Sequence, residues 1–166
     1  MKSVDDHARV EALVAEILQK MRDKGCHIAT AESCTGGLVA AALTAVAGSS
    51  DVVMGGVVAY ANGAKESLLG VSPALLAQHG AVSAQVAEAM AMGAAKRLGA
   101  THAVSLTGIA GPTGGTAGKP VGTVFCGIVS PAGVRHCHWL FVGDRQAVRE
   151  QSVLGALHEL KREVER

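Results

Sequence analysis

Apolar side chains first recur at helical spacing. Val10, Leu13, Val14, Ile17, Leu18 and Met21 share one face, and Gly25 supplies a stop. A short extended run, Cys26 to Ala31, leads through Glu32-Ser33-Cys34-Thr35-Gly36-Gly37 into an Ala-rich helix from about Leu38 to Val46. Val52 to Tyr60 predicts a second strand, buried on both faces if Val52, Val53, Val57 and Val58 all lie inside. Two short helical pieces, around Ala64–Leu69 and Pro73–Gln78, precede a long helix that Ser83 caps and that ends near Gly99, with Gly93 as an interruption. Thr101–Leu106 predicts a strand and Thr107 to Pro120 a glycine-rich loop. Val121–Val129 and Val134–Val142 predict a hairpin around Ser130-Pro131-Ala132-Gly133. The last helix starts at Asp144 as its cap and places Val148, Leu154, Leu157, Leu160 and Val164 roughly on one face. Helices alternating with strands, closed by one late hairpin, predict an α/β fold: a three-layer α/β/α sandwich with a mixed sheet.

Composition narrows what such a fold could do. The 166 residues suit a single domain spanning 1–166, long enough to bury a core without disulfide or metal staples. Apolar residues at 49% and charged residues at 17% exclude disorder. Aromatic residues at 2% leave few platforms for stacking bases, and a net charge of +1 gives no basic face, so nucleic acid is not an expected partner. The opening Met-Lys-Ser-Val-Asp-Asp-His lacks the apolar stretch of a signal peptide, and no apolar run approaches the ~20 residues that span a bilayer. Cys26, Cys34, Cys126 and Cys137 have no paired CxxC spacing and read as free thiols. The expectation is a cytoplasmic protein without membrane contact.

Four places could carry chemistry. In Glu32 to Gly37 a hydroxyl stands at the mouth of a helix, where unpaired N–H groups could hold an oxyanion or a phosphate. The simpler role for Ser33 or Thr35 is to cap that helix. Cys34 is a rival nucleophile, because a helix N-terminus favours the thiolate, and nothing local decides between it and Ser33. In Tyr60-Ala61-Asn62-Gly63-Ala64-Lys65 the tyrosine and lysine follow a strand and could share a cleft; a desolvated neutral lysine can activate a serine. An ordinary Lys65 would instead be solvated. Thr107 to Pro120 holds five glycines, more than a turn needs, and suits a loop whose N–H groups converge on an anion; a flexible surface loop is the plainer reading. It matches neither a Walker loop nor a Rossmann fingerprint. Arg145, beside the cap Asp144, is a cation at a helix N-terminus, which an anionic ligand would make favourable. His136 and His138 alternate on one strand face, but no third ligand has a recognisable metal spacing, so no metal site is assigned.

Taken together, Ala31-Glu32-Ser33-Cys34-Thr35-Gly36-Gly37, Tyr60-x-Asn62-x-x-Lys65, Thr107-Gly108-Ile109-Ala110-Gly111-Pro112, Lys119-Pro120-Val121-Gly122-Thr123-Val124 and Gly143-Asp144-Arg145 closely resemble the CinA C-terminal-domain family, from about Val10 to Leu160. That family contains nicotinamide mononucleotide deamidases. The resemblance implies hydrolysis of nicotinamide mononucleotide to nicotinate mononucleotide and ammonia, with no cofactor and no metal. It places the nucleophile on Ser33 and the catalytic lysine on Lys65, with Tyr60 assisting. It assigns substrate contacts to Thr107, Gly108, Gly111 and Arg145 and suggests a homo-oligomer; Thr35, Gly36 and Gly37 at the helix mouth are further expected substrate contacts. Gly63 departs from the pattern, since an acidic residue is common there, and the chain leaves no room for the second, N-terminal domain of some members. The competing expectation is a non-catalytic pyridine-nucleotide-binding or sensing domain.

Overall fold

The computed structural model describes residues 4–166; Met1–Ser3, which open the segment without a signal-peptide pattern, lie outside the described residues. The elements run α1 (Val4–Asp23), β1 (Ile28–Glu32), α2 (Leu38–Thr44), a short 3-10 turn (Ser49–Asp51), β2 (Val53–Val58), α3 (Asn62–Leu69), α4 (Pro73–His79), α5 (Ala84–Leu98), β3 (His102–Gly108), β4 (Thr123–Ser130), β5 (Gly133–Leu140) and α6 (Arg145–Glu165). The sheet order is β2-β1-β3-β4-β5. β1 pairs in parallel with β2 and β3, whereas β4 is antiparallel to both β3 and β5.

Two apolar clusters sandwich this sheet. Val14, Ile17 and Met21 of α1 meet Leu157 and Leu160 of α6 and Val39 and Leu43 of α2 on one side. Val86, Met90 and Ala94 of α5 meet Leu69 of α3 and Leu76 of α4 on the other. The result is a three-layer α/β/α sandwich with a mixed sheet. Ser83 and Asp144 cap α5 and α6 through their side chains, accepting from the N–H groups of Val86 and Ala147. Among the described residues no helix is long and apolar enough to cross a membrane.

Two local expectations change. β2 is not buried on both faces: it is an edge strand, and Val58 is 49% exposed while Val53 and Val57 are half-buried. A run of valines reads the same on an edge as in the centre, because the pattern carries no information about the missing neighbour. Gly93 does not interrupt α5 either. A Cβ there would sit 2.1 Å from the carbonyl oxygen of Leu69, so the glycine lets α5 lie directly against the end of α3.

Candidate active site

β1, β2 and β3 run in parallel and end at Glu32, Val58 and Gly108, so the segments that follow them gather at one edge of the sheet. That edge is where open α/β sheets offer a ligand crevice. A small cavity of about 230 Å³ lies there, lined among others by Ser33, Tyr60, Lys65, Thr107, Gly108 and Arg145. Larger grooves of about 630 and 550 Å³ flank α6, but neither contains a nucleophile–base pair.

Lys65 stands in the first turn of α3, four residues before Leu69, and both face inward. It is only 1% exposed. Its Nζ lies 3.1 Å from Ser33 Oγ, 3.0 Å from the carbonyl oxygen of Ala59 and 3.2 Å from that of Tyr60. As an ammonium it donates to all three. As a neutral amine it has two N–H bonds, which the two carbonyls accept, and the lone pair is then left facing the Ser33 hydroxyl. Burial pushes the Lys65 pKa below its ordinary 10.5. Among the described residues no carboxylate forms an ion pair with it, and the Cys34 thiol opposes that desolvation only in part. Of the two readings of Lys65, a solvated side chain or one sharing a cleft, the structure shows a buried lysine in contact with a serine hydroxyl.

Ser33 follows β1 directly. Its N–H donates to Leu106 O of β3 at 2.9 Å, which continues the sheet's backbone pairing up to the nucleophile candidate. Cys34, the rival, is 6% exposed, and burial pushes its thiol up to about 11. Such a thiol is almost wholly protonated near neutrality and a poor nucleophile.

The first amides of α2 do not face the cavity as the sequence pattern suggested. Glu32, 1% exposed, turns its carboxylate onto them. Its Oε2 accepts from Thr35 Oγ1 at 2.6 Å, Gly37 N at 3.1 Å and Val39 N at 3.0 Å, and its Oε1 accepts from Ala40 N at 2.9 Å. Thr35, Gly36 and Gly37 therefore shape the turn from behind and do not line the cavity. Gly36 and Gly37 have φ of 62° and 101°, a region that disfavours any side chain. Arg149 of α6 donates from Nη2 to Thr35 O at 2.9 Å, a second fastening on the same turn.

The remaining candidates split between lining and support. Thr107 and Gly108 line the cavity, and the Thr107 hydroxyl donates to Ala81 O at 2.8 Å. Gly111 participates through its carbonyl, which accepts from Arg145 Nη1 at 3.0 Å, while Arg145 Nη2 donates to the Tyr60 hydroxyl at 3.0 Å. Arg145 thus spans the mouth of the cavity, and the Tyr60 side chain beside it is largely exposed. From Pro112 to Gly118 the glycine-rich loop is exposed and stays out of the cavity. His136 is paired with Glu88 and His138 stacks on Phe125, so the two do not converge. Among the described residues no three His, Cys, Asp or Glu side chains are grouped to hold a metal.

Sequence reasoning missed the role of Glu32, the fastening by Arg149, and Asn62 and Val82 in the lining. Glu32 and Asn62 stood inside quoted motifs without an assigned role, and Arg149 lies one helical turn after Arg145.

The sequence pattern of the family described as the CinA C-terminal domain matches residues 10–164. A CinA-like protein of Mycobacterium marinum is 54% identical over 159 residues, covering 95% of this chain and 36% of that protein. One from Anaeromyxobacter dehalogenans is 51% identical over 145 residues, covering 87% of this chain and 36% of that protein. The chain therefore spans about a third of the length of these curated relatives. Among solved structures, the competence/damage inducible protein CihA of Agrobacterium tumefaciens superposes with a TM-score of 0.91 at 44% identity, covering 95% of this chain and 96% of that one. A CinA superfamily protein of Klebsiella pneumoniae superposes at 0.89 with 35% identity, covering 93% and 97%.

Proposed function

This chain belongs to the CinA C-terminal domain family, and from that premise we propose that it is a serine amidohydrolase acting on the carboxamide of nicotinamide mononucleotide. The observation that carries the reading is the 3.1 Å contact between Ser33 Oγ and the buried, uncompensated Nζ of Lys65. A buried lysine without a counter-charge is costly to keep, and a neutral amine aimed at a hydroxyl is a use that accounts for it.

In this mechanism Ser33 Oγ attacks the carboxamide carbon and its proton passes to Lys65. The oxyanion needs N–H donors not already used. In the turn, Ser33 N is bound to Leu106 O, Gly36 N to Ser33 O, Leu38 N to Thr35 O, and the amides of Gly37, Val39 and Ala40 to Glu32. Of the turn's remaining amides, the N–H of Cys34, which lines the cavity, is the donor, worth about 3 kcal/mol if well placed. The tetrahedral intermediate collapses, the C–N bond breaks, and Lys65 returns the proton to the leaving ammonia. Water then attacks the Ser33 ester with Lys65 again as base, freeing nicotinate mononucleotide and restoring the hydroxyl.

Substrate charge supports the same choice. No carboxylate lines the cavity, so a cationic pyridinium ring would disfavour the ammonium form of Lys65 still further. Arg145 at the mouth is the available partner for the substrate phosphate, exchanging Tyr60 and Gly111 for a charge-assisted contact. The test is release of ammonia and nicotinate mononucleotide by the native protein, Ser33→Ala and Lys65→Ala. Turnover that falls about a thousandfold or more in Ser33→Ala, and about 10²- to 10⁴-fold in Lys65→Ala, is expected. Nucleotide binding without turnover by the native protein would make this a binding domain.

A further inference from the structure

We propose that Glu32 is a positioning residue for Ser33: its buried carboxylate holds the turn 33–37 in the one arrangement that presents Oγ to Lys65. The inference rests on Ser33 being the nucleophile and goes beyond it to a residue that touches no substrate.

Glu32 is joined to both halves of the pair. Its main-chain carbonyl accepts from Ala59 N at 2.8 Å, and the carbonyl of Ala59 in turn accepts from Lys65 Nζ at 3.0 Å. Its side chain gathers the Thr35 hydroxyl and three amides, from Gly37, Val39 and Ala40. One residue therefore fixes the base's acceptor strand through its backbone and the nucleophile's turn through its carboxylate. At 1% exposure, no bulk water can replace these bonds.

The chemistry also requires a carboxylate. Four donors converge on two oxygens, which an ionised group satisfies with acceptor capacity alone. A glutamine must turn its amide nitrogen toward at least one N–H, losing that bond and the charge. An alanine loses all four, and two flexible glycines, Gly36 and Gly37, then let the turn relax. Ser33 would remain close to Lys65 but without a fixed approach, and displacement by about 1 Å from a reactive geometry costs on the order of a hundredfold in rate.

The experiment reads Ser33 directly, without the nucleotide. A fluorophosphonate probe is added to the full chain: Ser33 Oγ forms a P–O bond, the P–F bond breaks, fluoride leaves, and the serine proton goes to Lys65. Expected rates are about tenfold slower in Glu32→Gln and about a hundredfold slower in Glu32→Ala than in the native protein. The pH at which labelling turns on stays in place, because the environment of Lys65 is kept. Sodium formate, which fits the space left by the missing carboxylate, accelerates Glu32→Ala and leaves the native protein unaffected. Circular dichroism checks the fold, and if Glu32→Ala does not fold the isosteric Glu32→Gln decides. Variants labelled within about twofold of native, or a slowed reaction whose pH limb has moved, would overturn the role given to Glu32. A native protein not labelled at Ser33 would overturn the nucleophile assignment itself, which separates the two failures.

Discussion

The Arg135 cluster and the Lys65 site both bury ionisable groups, and they resolve the burial in opposite ways. Between β5 and α6, Arg135 donates to Glu159 at 2.8 Å and also pairs with Glu163, both glutamates being nearly inaccessible. Burial works against the Glu163 carboxylate, yet the hydrogen bond to Arg135 and its nearby charge hold the pKa below the ordinary value. Between β1 and α3, Lys65 is buried just as deeply, but its partners are two carbonyls and a serine hydroxyl. The first arrangement neutralises its charges and is structural. The second gives the lysine no carboxylate to pair with, so burial favours its uncharged form, the form in which a lysine can act as a base.

Each side of this contrast can be broken separately. The largest effect is expected from Lys65→Met, which keeps the apolar stem and removes the amine: hydrolysis of the nucleotide amide should fall about 10²- to 10⁴-fold in steady-state assays. Next, Arg135→Met leaves the buried Glu159 and Glu163 only the largely exposed Arg162 and Arg166 as ion-pair partners and should cost about 3 kcal/mol in urea unfolding, with turnover per folded molecule unchanged. A smaller effect of opposite sign is expected on the stability of Lys65→Met. The folded-state pKa of Lys65 is lowered, so the unfolded chain binds more protons between that pKa and the ordinary 10.5, and native stability rises with pH across this window. Lys65→Met escapes the penalty, should be about 1–2 kcal/mol more stable near neutrality, and should lose the advantage as pH approaches 10.5. Smallest of all, Cys34→Ala should retain turnover within about twofold of native, because its thiol is held up to about 11 and does not react; loss of turnover there would move the nucleophile from Ser33 to Cys34.

Much of this organisation was legible in the chain. Helical spacing from Val10 to Met21, the caps Ser83 and Asp144, and the hairpin around Pro131-Ala132 all correspond to observed elements, because each is set by local physics. The edge position of β2 was not legible, since it depends on which strands come to lie beside it. Ser33, Lys65, Tyr60, Thr107, Gly108 and Arg145 come together around one cavity, although they are scattered over more than a hundred residues. The orientation of the 33–37 turn escaped the sequence for a specific reason. Glu32 precedes the serine and reads as an ordinary strand-end carboxylate, yet its side chain turns forward and takes the amides that would otherwise have been offered to a ligand. Helix-terminus reasoning expected an external anion where the protein supplies its own.

The central claim is that Lys65 is uncharged when it meets Ser33, and the most direct test is its own titration. In protein labelled with ¹³C at lysine Cε, the resonance that disappears in Lys65→Met is followed by NMR against pH. This resonance is expected to titrate below the ordinary 10.5, with the acid limb of the hydrolysis rate following it. A Lys65 resonance that stays protonated up to 10.5 or beyond would contradict the account, because Ser33 would then have no base.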